Sequence, residues 1–337
     1  MGKTEIGWTD FVWNPVTGCS KVSEGCKNCY AYSIHNMRHK AYAEGKKLPQ
    51  QYAKPFEDIQ LHNNRVDLPF HWKKPRKIFV NSMGDLFHAN VPFEFIENVF
   101  ATMEEVEHHT YIVLTKRPER MFEFMKWYSA RRSYAGVSFE WQPAKNIWLG
   151  ITAENQDTAN ERIPWLLQTP AAVRLISCEP MLEEINLTAI DLGDKMTRGY
   201  GPRRIIWDSL TGWEKQYNPG QHPQSMPEEF PRCMSNDIGG KIDWVICGGE
   251  TGSEARPLHS DWVRSLRDQC TDANVSFFFK QWGEFAPCTH YPGIKMPGPV
   301  ISLDGQSDGM MTRVGKKKAG RTLDGRTWNE FPEVQHG

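Results

Sequence analysis

The sequence predicts an α/β fold: a partial or full (βα) barrel of parallel strands with outer helices and an inserted segment. Three observations predict it. Short apolar runs alternate with helix-like stretches, polar residues gather where these runs end, and the alternation stops over residues 192–240 before it resumes. Apolar strands that alternate with helices are typical of a parallel sheet covered by helices. We favour a barrel over an open doubly wound sheet, which the same pattern also permits.

The predicted strands are β-branched or aromatic runs, and each ends at a polar turn. A helix-like stretch follows most of them, and Pro118 is placed to open one of these helices. The predicted strands are residues 77–81, 111–114, 147–151, 173–177, 243–247 and 275–279. The predicted helices are residues 30–40 and 92–107, one from Pro118, one ending near 167, and 260–273.

The alternation divides the chain into a βα barrel domain, residues 1–286, and a C-terminal extension, residues 287–337. Residues 192–240 are rich in glycine, proline and polar residues, so we expect an insertion or a lid there, partly disordered without substrate. In parallel α/β folds, ligands bind at the carboxyl ends of the strands. The polar residues at those ends are therefore the first candidates for a site.

Composition excludes several classes of protein. The formal net charge is -1, so a contact with nucleic acid would need a local basic patch. No run of 18 apolar residues and no apolar signal run are present, so we expect no membrane span. Eight cysteines scattered over 337 residues do not resemble a disulfide framework. We therefore expect a cytoplasmic protein.

Three of the cysteines lie close together near the amino terminus, at Cys19, Cys26 and Cys29. The C-x-x-C spacing of the last two lets two thiolates converge on one metal centre. A zinc site would need a fourth ligand, which His35 could supply. Three thiolates without a fourth ligand favour an iron–sulfur cluster with one open iron. Three unrelated thiols are the third alternative.

The three-cysteine loop followed by repeated βα units resembles the radical S-adenosylmethionine (SAM) superfamily. The first gap between cysteines is six residues here, against the commonest three in that superfamily. Most of the chain is also similar to a phage- and bacterium-borne "three-Cys-motif" family of unassigned activity. The segments that carry this similarity are residues 8–9, 13–19, 26–31, 114–118, 177–180 and 248–250.

The resemblance implies that Cys19, Cys26 and Cys29 bind a [4Fe-4S] cluster whose fourth iron chelates SAM. One electron, from a donor such as flavodoxin or ferredoxin, would then cleave SAM to a 5′-deoxyadenosyl radical. Asp85 would contact the SAM ammonium and Glu154 a ribose hydroxyl. The full set of predicted cofactor-binding residues is Ser82, Gly84, Asp85, Thr115, Lys116, Glu154, Glu179, Gly249 and Glu250.

The substrate is predicted from charge alone. Basic groups interleaved with aromatic residues slightly favour a nucleic acid or nucleotide, in repair or modification. The alternative function is a non-catalytic zinc or iron–sulfur module that acts with a partner protein. The basic groups are Lys73, Lys74, Arg76 and Lys77, Arg131 and Arg132, Arg203 and Arg204, and Lys316 to Lys318.

Overall fold

The computed structural model describes residues 2–133, 141–197, 201–217, 228–230, 240–306 and 309–333. The strands are β1 (Gly2–Lys3), β2 (Phe11–Trp13), β3 (Val16–Thr17), β4 (Gln60–Leu61), β5 (Lys77–Val80), β6 (Thr110–Thr115), β7 (Ile147–Thr152), β8 (Val173–Cys178), β9 (Ile190–Thr197), β10 (Gly201–Asp208), β11 (Trp213–Tyr217), β12 (Glu228–Phe230), β13 (Trp244–Gly248), β14 (Ser276–Gln281), β15 (Phe285–Pro287), β16 (Val300–Ser302) and β17 (Met310–Arg313).

The helices alternate with the strands through most of the chain. They are α1 (Tyr30–Ala43), α2 (Asn63–Val66), α3 (Phe93–Glu105), α4 (Pro118–Arg132), α5 (Gln156–Gln168), α6 (Ser260–Asp272) and α7 (Lys316–Ala319). Short 3-10 turns cover Glu24–Cys26, Gln50–Ala53, Leu68–His71 and Cys288–His290. Each predicted strand and helix is present within a few residues of its expected bounds. Pro118 is the first residue of α4, as expected.

The main sheet has eight strands in the order β1-β2-β5-β6-β7-β8-β13-β14, and it curls into a half-barrel. β1 is antiparallel to β2, and the remaining neighbours are parallel. The parallel strands follow one another in space in their chain order. A doubly wound sheet reverses that order at a switch point, so the partial barrel is the alternative that fits.

Both faces of this sheet are buried, which explains the near-continuous apolar runs. The outer face packs against the helices in the larger core. The concave face carries a second cluster, in which Trp244 meets Trp148 edge to face at a ring-centroid distance of 5.7 Å. Trp8, from the segment before β2, packs edge to face on Trp244 at 6.3 Å. The amino-terminal segment therefore fills part of the half-barrel's interior.

The insertion forms an antiparallel sheet of its own, in the order β12-β11-β10-β9. It lies between β8 and β13. The connections that follow β5, β6, β7 and β13 each contain a helix, whereas this connection contains the insertion. In the described residues, this antiparallel sheet therefore stands where the sequence predicts an insertion over 192–240. Residues 198–200, 218–227 and 231–239 lie outside the described part, and the disorder expected there stays a prediction.

The C-terminal extension adds β16 and β17 to β15, which begins just before it, in a sheet of the order β15-β17-β16, and the chain then returns to the barrel. The carbonyl of Trp328 accepts a hydrogen bond from the amide of Phe279 in β14, and the carbonyl of Glu330 accepts one from the indole of Trp244. Phe331 packs on Trp244 at 5.0 Å. The extension is therefore anchored to the barrel. None of the described helices has the length and apolar character needed to cross a bilayer.

Candidate active site at the carboxyl edge of the half-barrel

A cavity of about 570 Å³ opens at the carboxyl edge of the sheet and extends into the half-barrel. Its volume is in the range of about 300–1,000 Å³ that is usual for small-molecule sites. Cys19, Cys26 and Cys29 all line it. Eight of the nine predicted cofactor-binding residues line it as well: Ser82, Gly84, Asp85, Thr115, Lys116, Glu179, Gly249 and Glu250.

The cysteine loop, residues 18–29, is shaped first by a glycine. Gly18 has a φ of 97°, and a Cβ there would lie 2.7 Å from the carbonyl oxygen of Asp58. Gly84 is equally constrained, since its Cβ would lie 2.9 Å from the Gly18 carbonyl. The amide of Cys19 donates to the carbonyl of Phe56 at 3.0 Å. Gly84, predicted as a cofactor contact, thus also lets the loop's backbone approach the end of β5.

Arg117 links Cys19, the first cysteine of the loop, to Asp85 by hydrogen bonds. Its guanidinium donates to Asp85 at 2.9 Å, to the Ser20 carbonyl at 3.0 Å and to the Cys19 sulfur at 3.6 Å. Asp85 also accepts from the Thr115 hydroxyl at 2.7 Å. Burial, followed by the charge of Asp85, raises the pKa of Cys19 to about 11, so this group is a neutral thiol in the free protein.

Glu154 holds the middle of the loop. Its carboxylate is 1% exposed and accepts from Ser23 at 2.9 Å, Lys116 at 2.5 Å and Arg162 at 3.1 Å. Burial alone would raise the pKa of Glu154, but the charges of Lys116 and Arg162 outweigh it and lower the pKa. Glu154 is the one predicted cofactor-binding residue that does not line the cavity. It lies behind Lys116.

Glu250 holds the end of the loop. It accepts from the Asn28 amide at 3.0 Å and from the Arg256 guanidinium at 2.8 Å. Arg256 also donates to the carbonyl of Glu24 at 3.0 Å. Burial by itself raises the pKa of Glu250, but the hydrogen bonds from Arg256 and Asn28 outweigh it and lower that pKa. Carboxylates that follow β5, β7 and β13 therefore each hold a different part of the cysteine loop: Glu154 and Glu250 directly, and Asp85 through Arg117.

Glu179 and Lys280 form a further ion pair on the cavity wall that does not touch the loop. The Lys280 ammonium donates to both carboxylate oxygens, at 2.8 and 2.9 Å, and Gln281 adds a bond at 3.2 Å. Both side chains are partly exposed, at 18% and 17%. Gly249 next to them is required by packing, since its Cβ would lie 2.0 Å from the Trp282 carbonyl.

A family model described as "Protein of unknown function (DUF5131)" matches residues 3–332. The chain belongs to the DUF5131 family. No curated protein and no solved structure matches it. The family match therefore spans both the cysteine loop and every strand end that holds it.

Sequence reasoning missed several residues of this DUF5131 site. Arg117 follows the predicted Lys116 in sequence, and Asn28 lies between the two cysteines of the C-x-x-C motif. Arg256 follows Glu250 by six positions, and Asn81 lies between β5 and the predicted Ser82. Arginine and asparagine are common in ordinary loops, so only the fold shows that Asn28, Asn81 and Arg117 line one cavity. Arg256 does not line it but pairs with Glu250, which does. Asn81 carried one available signal, its position at the carboxyl end of the predicted strand 77–81.

The three thiols of the cysteine loop are the candidate ligands for the metal centre predicted from the sequence. None of the three cysteines forms a disulfide, and all three line one cavity. Within the described ranges, no three His, Cys, Asp or Glu side chains group to hold one metal ion. In a cluster each thiolate binds a different iron, so convergence on a single ion is not required. The structure places His35 away from the cavity, with its Nε2 2.9 Å from the Lys54 carbonyl.

The basic groups predicted to contact nucleic acid are mostly remote from the cavity. Lys77 begins β5 and so lies at the amino edge, over the ring of Phe331 at 3.8 Å, and Arg76 stacks on Phe11 at 3.8 Å. Lys316 does line the cavity. The side chain of Arg203 is outside the described part. The remaining arginines are paired with acidic side chains: Arg131 with Glu97, Arg132 with Glu104 and Arg204 with Asp191.

The lid predicted for residues 192–240 does not cover the site in the described part of the chain. No described residue of that segment lines the cavity. The C-terminal extension contributes instead, through Lys316. The carbonyl of Glu284 accepts from the amides of Val314 and Gly315, both at 3.0 Å, which fixes the chain just before Lys316.

Proposed function

We propose that this protein is a radical SAM enzyme that holds a [4Fe-4S] cluster through Cys19, Cys26 and Cys29. The observation that carries the proposal is that three free thiols share one cavity at the carboxyl edge of a parallel half-barrel. Three thiolates leave one cluster iron open for a ligand that takes part in the reaction. When bound, the cluster supplies one electron for cleavage of the SAM sulfonium.

The charged residues of the cavity suit a ligand that carries both an ammonium and a carboxylate. Glu179 and Lys280 offer one charge of each sign on the same wall. The methionine part of SAM is a zwitterion. Its ammonium can pair with Glu179 and its carboxylate with Lys280, so that no charge is left unpaired. The contact of Asp85 with the SAM ammonium stays a prediction. Its carboxylate already accepts from Arg117, Thr115 and the amides of Phe87 and Lys116.

The loop-holding residues would act on the cluster indirectly. Arg117, Glu154 and Glu250 fix three parts of the loop, so the spacing of the thiols is set by partly buried hydrogen bonds. The apolar inner wall would exclude water from a reactive species formed at the mouth. Each of these tasks belongs to residues of the chain and is testable without knowing the substrate.

Fewer of the predicted basic residues support a nucleic-acid substrate than the sequence analysis expected. Among the described residues of the predicted basic groups, Lys316 is the one that lines the cavity, and it belongs to a run of three lysines. We therefore propose a substrate with phosphate or another anionic group near Lys316. A cytoplasmic location with a flavodoxin- or ferredoxin-like donor completes the proposal.

Anaerobic reconstitution with iron, sulfide, SAM and dithionite tests this function. We expect a brown protein with a broad absorbance near ~400 nm, from thiolate-to-iron charge transfer, and formation of 5′-deoxyadenosine. The Cys26→Ala variant, treated identically, is the control for unspecific iron. A colourless protein with one tightly bound zinc would contradict the proposal and favour a non-catalytic module that acts with a partner.

A further inference from the structure

Arg117 brings a positively charged hydrogen-bond donor to one of the three thiols of the cysteine loop. Its Nη1 lies 3.6 Å from the Sγ of Cys19, within the distance of an N–H···S hydrogen bond. The Arg117 side chain is 14% exposed, so this contact is largely shielded from water. Because Cys19 is a predicted metal ligand, the donor touches the atom that would bind the metal.

Three further hydrogen bonds fix the position of this guanidinium. Nη1 also donates to Asp85 Oδ2 at 2.9 Å, and Nη2 donates to the Ser20 carbonyl at 3.0 Å and to the Ser20 hydroxyl at 2.9 Å. A guanidinium is a rigid planar group, so fixing both terminal nitrogens also fixes the N–H that points at the sulfur. A lysine at this position has one nitrogen and could not make the same set of bonds.

His88 supports the same arrangement from behind Ser20. Its Nε2 lies 2.9 Å from the Ser20 hydroxyl, and its Nδ1 accepts from the backbone amide of Asn90 at 3.2 Å. Because Nδ1 is an acceptor, the hydrogen of the neutral ring is on Nε2, which donates to Ser20. Burial, followed by the charge of Arg117, lowers the pKa of His88 and favours this neutral ring. The His88 ring therefore holds Ser20 as a donor and is not placed to activate it as a base.

The charge of Arg117 is balanced by Asp85. The two side chains form an ion pair at 2.9 Å, and the Asp85 side chain is 7% exposed. The pair as a whole is neutral, so Arg117 offers Cys19 a directed hydrogen bond rather than a net charge. The charge of Asp85 also reaches this thiol, since it raises the pKa of Cys19. Loss of Arg117 alone would therefore leave an uncompensated carboxylate close to the sulfur.

We propose that Arg117 is a positioning residue that sets the reduction potential of the metal centre held by Cys19, through its hydrogen bond to the cysteine sulfur. A donor to a ligating sulfur stabilises the additional negative charge of the reduced state, and so raises the potential. Asp85 balances the charge of Arg117, while Ser20 and His88 keep its guanidinium in place. This inference rests on the proposed function, whereas the hydrogen bonds from His88 to Arg117 exist without a cluster.

The midpoint potential of the reconstituted cluster tests the inference. It is measured without SAM, by redox titration followed by paramagnetic resonance, on samples whose iron and sulfide content is first shown to be complete. Arg117→Gln removes the charged donor and leaves the Asp85 charge uncompensated, and both changes disfavour the added electron. We expect the one-electron equilibrium to shift by about tenfold or more toward the oxidised cluster, which is about 59 mV to more negative potential.

Three further variants separate the hydrogen bond from charge and from loosening of the loop. Arg117→Gln/Asp85→Asn removes both charges, so its potential should lie between those of Arg117→Gln and the wild type. Ser20→Ala removes one support of Arg117 and keeps the Ser20 carbonyl, so it should lower the potential by less than Arg117→Gln does. Arg131→Gln is the control, because Arg131 is 55% exposed, pairs with Glu97 and does not line the cavity. Its potential should equal that of the wild type.

Nitrogen-15 resonance of the metal-free protein tests the supporting hydrogen bonds independently, and we expect His88 to be neutral with its hydrogen on Nε2. A hydrogen on Nδ1 would remove the support of Ser20 and overturn that part of the inference. A complete cluster with wild-type potential in Arg117→Gln would overturn the whole, as would a double variant equal to the wild type, which would assign the shift to Asp85 alone. If Arg117→Gln cannot hold the cluster, an unchanged potential in Ser20→Ala overturns the inference instead. Absence of a cluster in the wild type would refute the proposed function as well, so the two failures are distinguishable.

Discussion

The hydroxyl of Ser23 donates a 2.9 Å hydrogen bond to the carboxylate of Glu154, across 131 positions of sequence. Glu154 is held in turn by Lys116 and Arg162, so the loop between the cysteines is fixed to a buried ion cluster rather than to solvent-exposed groups. A Cβ on Gly25 would lie 2.3 Å from the Glu154 Cγ. The thiols are therefore positioned by contacts that exist before any metal binds.

Glu154→Gln should destabilise the protein and loosen the loop. Removing one partner from a buried ion cluster leaves Lys116 and Arg162 uncompensated, and the free energy of unfolding should fall by about 3–5 kcal/mol. Urea unfolding measures this change, and alkylation of Cys26 in the folded protein should become faster.

Glu104→Gln is the matched control for that variant. Its partner Arg132 is 42% exposed, so the loss should be below about 1 kcal/mol. Cys26 should react at the wild-type rate in this control. Equal alkylation rates in wild type and Glu154→Gln would show that Glu154 does not hold the loop.

The same cluster predicts a dependence of stability on pH. The pKa of Glu154 is lowered in the folded protein, so its contribution is present above the unfolded-state pKa of about 4.3 and is lost as the pH falls through the folded-state pKa. Below about pH 4 the wild type should lose up to about 1.4 kcal/mol per pH unit through this group. Urea titrations at several pH values should give a shallower loss for Glu154→Gln, and identical slopes would contradict the assignment.

Gly25→Ala should prevent the cysteine loop from closing. The added methyl group would meet the Glu154 carboxylate, which Lys116 and Arg162 prevent from moving aside. We expect iron content after reconstitution to fall severalfold or more, while the barrel stays folded by circular dichroism. Gly2→Ala is the control, since a methyl group at that position would have no atom within 4 Å. Full iron content in Gly25→Ala would disprove the contact.

Replacing Cys19, Cys26 or Cys29 singly by Ala should abolish stable cluster binding, because two thiolates do not hold the cluster. Cys178→Ala and Cys247→Ala should retain the iron, since both thiols are fully buried in the core between sheet and helices. Iron and sulfide analysis after gel filtration measures this. Loss of iron in either core variant to the same extent would refute the ligand assignment.

The sequence predicted the strands and the edge where the polar residues meet, because buried parallel strands have a local signature of apolar runs. It did not predict what those residues contact. Glu154 was expected on a ribose, yet it lies behind Lys116, and this depends on side-chain packing between elements distant in sequence. The partners Arg117 and Arg256 and the antiparallel sheet of the insertion likewise depend on long-range contacts. Cys26 and Cys29 were the exception: they are only three positions apart, so the sequence alone predicted that they lie at one site.

A final prediction concerns which lysines contact an anionic substrate. Lys316 lines the cavity, whereas Lys73 and Lys74 precede β5 at the opposite edge. If a phosphate backbone reaches the cavity, the slope of log K against log salt should be about −0.7 to −0.9 per phosphate neutralised. Ser substitutions at Lys316, Lys317 and Lys318 together should reduce the magnitude of that slope by about 2.

Lys73→Ser/Lys74→Ser is the control and should leave the slope unchanged, because this pair precedes β5, at the edge of the sheet opposite the cavity. Anisotropy measurements in a salt series on single-stranded DNA, double-stranded DNA and RNA decide between the two surfaces. A slope that responds only to Lys73 and Lys74 would move the contact to the amino edge, where Arg76 and Lys77 stack on aromatic rings. No binding to any of the three at low salt would exclude a nucleic-acid polymer. A small nucleotide substrate would then be the form of the proposal that survives.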